Sequence, residues 1–118
     1  MKIQISLSAD LPSSVSTIKE AMSLFRKIGI SGFKVPKLSK ESNVRAVTLY
    51  GGTSGKTVYW LFMQEGATKV SFWLSKPVAL GKYNKILAKT SNIKTFLGAF
   101  KATGAGTKYR AAIDQLLA

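Results

Sequence analysis

The sequence predicts an α+β domain, an antiparallel sheet with helices packed mainly on one face, in the order β-α-β-β-β-α-α-α. Three observations point there. Residues 44–50, 56–64 and 67–75 are rich in Val, Thr, Tyr, Trp and Phe and are separated by turn-forming glycines. Apolar residues at spacings of three and four flank this block on both sides. With 118 residues, 46% of them hydrophobic, the chain can bury one core but not two, so residues 1–118 read as a single domain.

The elements follow in order. Ile3, Ile5 and Leu7 alternate with Gln4 and Ser6, the pattern of a half-buried strand. Asp10 through Ser14 offer a turn and several helix caps. Val15, Ile18, Met22 and Phe25 then line one side of an amphipathic helix that stops at Gly29. Residues 29–43 hold two glycines, a proline and three lysines and read as a basic loop. Three strands joined by hairpins at residues 51–55 and at Glu65-Gly66 come next. After Pro77 the period becomes helical. Leu80, Tyr83 and Leu87 form one stripe, Ile93, Phe96, Leu97 and Phe100 a second, and Ala112, Ile113, Leu116 and Leu117 a third. Ser91 and Thr107 stand at cap positions, and Gly104 and Gly106 separate the last two helices.

Composition narrows the chemistry. There is no His and no Cys, which removes disulfides, thiolate or imidazole zinc sites and every His-dependent catalytic arrangement. The five acids, Asp10, Glu20, Glu41, Glu65 and Asp114, show no spacing suited to a carboxylate pair or a magnesium site. A non-enzymatic protein without cofactor or metal is therefore expected. Gly55-Lys56-Thr57 shares part of the P-loop pattern, but Tyr50 replaces the required glycine and a strand, not a helix, follows. The Thr103–Lys108 connection has amides near a helix start that suit a backbone phosphate.

Charge points to the partner. Eighteen Lys and Arg against five acids give a formal charge of +13, which disfavours the compact state unless a polyanion meets it. Fifteen of the eighteen are Lys, whose ammonium suits phosphate more than base reading. From Gly66 through Ile113 nine basic residues occur without one acid, and Lys82, Lys85 and Lys89 fall on one side of the first helix after Pro77. Arg26, Lys27, Lys34, Lys37 and Lys40 form a second acid-free stretch. Neither an apolar signal-peptide core nor a run near the roughly 18 apolar residues of a membrane span is present. The expectation is a cytoplasmic protein with no membrane partner, in the host cytoplasm were it viral.

Register sharpens this picture, because it decides the face each side chain takes. A two-residue turn at Glu65-Gly66 pairs Phe62 with Lys69 and Val58 with Trp73, and a loop at 51–55 pairs Tyr50 with Lys56. Val47, Leu49, Tyr59, Leu61, Val70, Phe72 and Leu74 then share one face, a core. Tyr50, Lys56, Trp60, Phe62, Lys69, Ser71 and Trp73 share the other, where rings stand among lysines as single-strand binders present them. Rival fates for this face are cover by the C-terminal helices, a homo-oligomer interface, or a three-residue turn that flips the third strand.

The functional expectation is a nucleic-acid-binding protein preferring single-stranded DNA or RNA with little sequence specificity. Tyr50, Trp60, Phe62 and Trp73 would stack on bases, while Lys56, Lys69, Lys76, Lys82, Lys85 and Lys89 would meet phosphates. A dimer or larger homo-oligomer would multiply weak contacts along a strand. The alternative is a small basic module that inhibits or recruits another protein, as a viral or phage accessory factor does.

Overall fold

A computed structural model describes residues 11–36, 43–79 and 82–118. The strand expected at 3–7 lies outside the described residues, as do Asp10, Lys37, Lys40, Glu41 and Leu80. Helix α1 (Ile18–Lys27) is set by its own ends. Thr17 caps it in a reciprocal box: the Glu20 amide donates to Thr17 Oγ1 and the Thr17 amide donates to Glu20 Oε1, both at 3.1 Å. At the other end Gly29 takes φ +95°, and the amides of Gly29 and Ile30 donate to the carbonyls of Arg26 and Phe25. That is a Schellman stop, completed by the burial of both Ile30 and Phe25.

Strands β1 (Val44–Gly51), β2 (Thr57–Glu65), β3 (Val70–Ala79) and β4 (Lys82–Thr90) form one antiparallel sheet in sequence order. Both hairpin registers differ from expectation. In the first, Gly51 faces Thr57 and Tyr50 faces Val58. In the second, Glu65 faces Val70 and Phe62 faces Trp73, so the turn spans residues 66–69 rather than two residues. The pairings slip by two positions in one hairpin and by four in the other. Both slips are even, and an even slip returns every side chain to its own face. The predicted partition between core and second face therefore stands although the individual pairs do not. Glu65 is not a hairpin tip. It ends β2, and its Oε1 accepts the Ile18 amide at 2.7 Å, at the positive end of α1.

The segment expected as the first helix after Pro77 is strand β4. The spacing of Tyr83 and Leu87 suits a helix, but a short isolated helix is marginal in water and needs packing to persist. Here β3 runs past its last β2 pair, Trp60 with Ser75, and would expose backbone donors and acceptors along that side. Pairing with 82–90 satisfies them, and Leu87 still reaches the core from opposite Leu74. Pro77 falls beyond Ser75, beside a register shift, where a proline costs no ladder bond to β2.

Helix α2 (Ile93–Phe100) starts one residue later than expected, at Asn92, whose Oδ1 accepts the Thr95 amide at 2.9 Å. Thr107 opens a short 3-10 turn (Thr107–Tyr109) that leads into α3 (Arg110–Leu117). The helices pack on one face of the sheet. Phe25, Phe72 and Phe96 meet there at centroid distances of 5.6 to 6.4 Å, surrounded by Leu61, Met63, Leu74, Leu97 and Ile113. The Thr103–Gly106 connection docks on the end of β1. A Cβ on Gly51 would lie 2.0 Å from the Gly104 carbonyl, and one on Gly104 would lie 2.2 Å from the Tyr59 hydroxyl. The amides of Gly106 and Thr107 both donate to Thr103, so this turn is engaged in packing rather than held open for a phosphate. Among the described residues no helix is long and apolar enough to cross a membrane.

Candidate nucleic-acid interface

The second face of the sheet is built in rows, because residues directly opposite one another across strands project to the same side. In the first row Lys34 exchanges backbone bonds of 3.0 and 2.8 Å with Ala46, Ala46 faces Phe62, and Phe62 faces Trp73. Lys89 completes the row from β4. Its Nζ lies 5.2 Å from the Trp73 ring centroid and donates to Gln64 Oε1 at 2.7 Å. In the second row Thr48 faces Trp60, Trp60 faces Ser75, and Ser75 faces Lys85.

The rings are arranged in two pairs. Phe62 and Trp73 stack at 5.1 Å with their planes 8° apart. Trp60 and Tyr83 meet edge to face at 5.2 Å, across Ser75, which is only 8% exposed. Such pairs contribute about 0.5–1.5 kcal/mol each beyond their burial, so the rings hold one another upright. Trp60, Phe62 and Trp73 are half-buried, whereas Tyr50 at 53% and Tyr83 at 52% are open.

Two irregularities in β4 place its lysines. Between Ser75 and Leu74, and again between Leu74 and Phe72, β4 carries one residue more than β3. Bulges of this kind re-aim side chains. Here they keep Leu87 on the core while turning both Lys85 and Lys89 to the side of Trp73.

The predicted residues are thus divided. Tyr50, Trp60, Phe62, Trp73, Lys85 and Lys89 share the face. Lys56 sits in the β1–β2 loop, its amide donating to Ser54 Oγ at 3.2 Å, and Lys69 sits in the β2–β3 loop instead of opposite Phe62. By strand alternation Lys76 follows Leu74 to the other side of the sheet, and Lys82 pairs with Ala79 at the end of the β3–β4 ribbon, past a register shift. The expected stripe of Lys82, Lys85 and Lys89 does not form, since a strand separates what a helix would have aligned.

Three further residues stand on this face that the sequence pattern does not place there. Lys34 joins through its bridge to Ala46, signalled only by Phe33 turning inward onto Phe25 at 5.5 Å beside it. Tyr83 and Gln64 become visible once residues 82–90 are a strand.

Electrostatics favour the same face. The three described acids are all occupied elsewhere: Glu20 in the α1 cap, Glu65 on the Ile18 amide, and Asp114 with Lys101 and, at 3.9 Å, Arg110. No acid lies among the described residues of the ring-bearing face, so the charges of Lys34, Lys85 and Lys89 are not offset there. Among the described residues no three acidic side chains converge as a metal site requires. Comparison with protein-family models, with curated proteins and with solved structures gives no match to this chain.

Proposed function

We propose that this chain is a non-enzymatic nucleic-acid-binding protein that lays single-stranded DNA or RNA across the ring-bearing face of its sheet with little sequence preference. The observation that carries this reading is a sheet face where two aromatic pairs stand among Lys34, Lys85 and Lys89 with no acid among its described residues. Stacking contributes about 1–3 kcal/mol per base and serves any base, while lysine point charges hold the backbone. Lys56, Lys69, Lys76 and Lys82 lie around the rim and the far side, where they add to the field drawing a polyanion in.

Titrating intrinsic Trp fluorescence with oligo-dT, oligo-U and duplex DNA at two salt concentrations tests the reading. Quenching by the single strands, weakening steeply with salt and tightening with length, is the expected result. Indifference to all three polymers overturns it.

A second reading, a basic module for a protein partner or for another copy of itself, draws on one feature. Beyond Ser75 the β3–β4 pair continues as a two-stranded ribbon with Val78 and Tyr83 exposed at 51% and 52%, and the bulged Ile86 at its base is exposed at 38%. Such an apolar ribbon suits a fixed-stoichiometry contact. Sedimentation at several concentrations distinguishes self-association from a monomer.

A further inference from the structure

The small residues of β1 leave a gap in the ring-bearing face. Ala46 and Thr48 stand opposite Phe62 and Trp60, where cross-strand pairs normally match bulk with bulk. Phe62 has one ring face against Trp73, at a separation close to the strand spacing, so its other face looks over β1 toward the Ala46 methyl. On the far side of Ala46 stands Lys34. Two residues along, Trp60 is engaged by Tyr83 on its β4 side and faces Thr48 on its β1 side. The result is a trough with a floor of Ala46 and Thr48, a wall of two ring sides against which no other ring of the described residues stacks, and an exposed Tyr50 at its end.

We infer that this trough seats two consecutive bases of a single strand, one over Ala46 between Lys34 and the free face of Phe62, the next over Thr48 beside Trp60. The inference rests on the nucleic-acid reading above and assigns its stacking surface to β1 rather than to Trp73. The two positions are about 6.8 Å apart along the strand, a step that an extended single strand with splayed bases makes in one nucleotide. A duplex, whose bases are stacked on one another, cannot offer a ring face to this wall without unpairing and unstacking. Trp73 has no free face for this, being held between Phe62 and the Lys89 ammonium.

The test fills the gap without removing charge or ring. Ala46→Leu extends a side chain onto Phe62 and should weaken oligo-dT binding about tenfold, the loss of one stack, with the salt dependence unchanged. Lys34→Gln should weaken binding less and lower the salt slope by about one. Ultraviolet cross-linking of the unaltered chain to oligo-dT provides a readout that needs no variant. The adduct is expected on the tryptic peptide Thr57–Lys69, which carries Trp60 and Phe62, and not on the peptide beginning at Val70 that carries Trp73. Wild-type affinity in Ala46→Leu, or an adduct on the Trp73 peptide, overturns the trough while leaving single-strand binding intact. Absence of any binding by the unaltered chain overturns the trough together with the reading beneath it.

Discussion

Phe72 and Trp73 are consecutive in β3 and live in different environments. Phe72 is fully buried among Phe25 and Phe96, under the helices, and contributes to a core that includes Leu61, Met63 and Leu74. Trp73 stands half-buried on the opposite side, with Phe62 against one face and Lys89 over the other. On the core side apolar contact is continuous, and no charged residue is buried among the described ones. On the other side the rings are paired only with each other and with cations. The contrast teaches that burial of one sheet face supplies the stability that leaves the other free to keep aromatic surface in water.

Substitution should break this contrast most visibly at Phe72. Phe72→Ala should cost about 3–5 kcal/mol in denaturant unfolding, because the surrounding rings and leucines leave a cavity. Trp73→Ala should cost roughly 1–2 kcal/mol, since only half its surface is covered, and the variant should stay folded. A difference of zero between the two would mean that the ring-bearing face is itself a core. Between these in site but not in mechanism, Gly104→Ala should destabilise by about 1–3 kcal/mol, because its Cβ meets the Tyr59 hydroxyl and the Tyr59 ring or the Thr103–Gly106 connection must shift.

Smaller effects sharpen the comparison. A double-mutant cycle on Phe62 and Trp73 should return a coupling of about 0.5–1.5 kcal/mol in thermal or chemical unfolding. Replacing Lys85 and Lys89 by Gln should leave unfolding nearly unchanged, weaken nucleic-acid binding uniformly across sequences and lower the salt slope by about one for each. Lys76→Gln and Lys82→Gln, outside the two ring-bearing rows, should move that slope less. Equal slopes from the two pairs would make the lysines a diffuse field rather than partners of the rings.

Much of this arrangement was legible in the sequence. The alternation of Leu49, Tyr59, Leu61, Phe72 and Leu74 with Tyr50, Trp60, Phe62 and Trp73 defines two faces whatever the turn length, provided its parity holds. Gly29 past the last turn marks where α1 stops, whereas its start falls at Thr17, after the caps expected at residues 10–14, because the reciprocal box with Glu20 closes there. Residues 82–90 were not legible. Their spacing of Tyr83 and Leu87 fits a helix, and the β-bulges that turn Lys85 and Lys89 to one side leave no regular period. Lys34 was hidden for a similar reason, since a single bridge to Ala46 produces no repeating pattern.

The sequence by itself determined which side chains share a face of the three central strands, where α1 stops, and that positive charge is unbalanced. Those properties follow from covalent alternation, short-range hydrogen bonding and a count of ions. Only the tertiary structure decided that the segment after Pro77 is a strand, that Lys34 stands in line with Phe62, and that the rings pair as they do. Each of these depends on a backbone or side-chain partner distant in the chain, and no local pattern encodes which partner will be there.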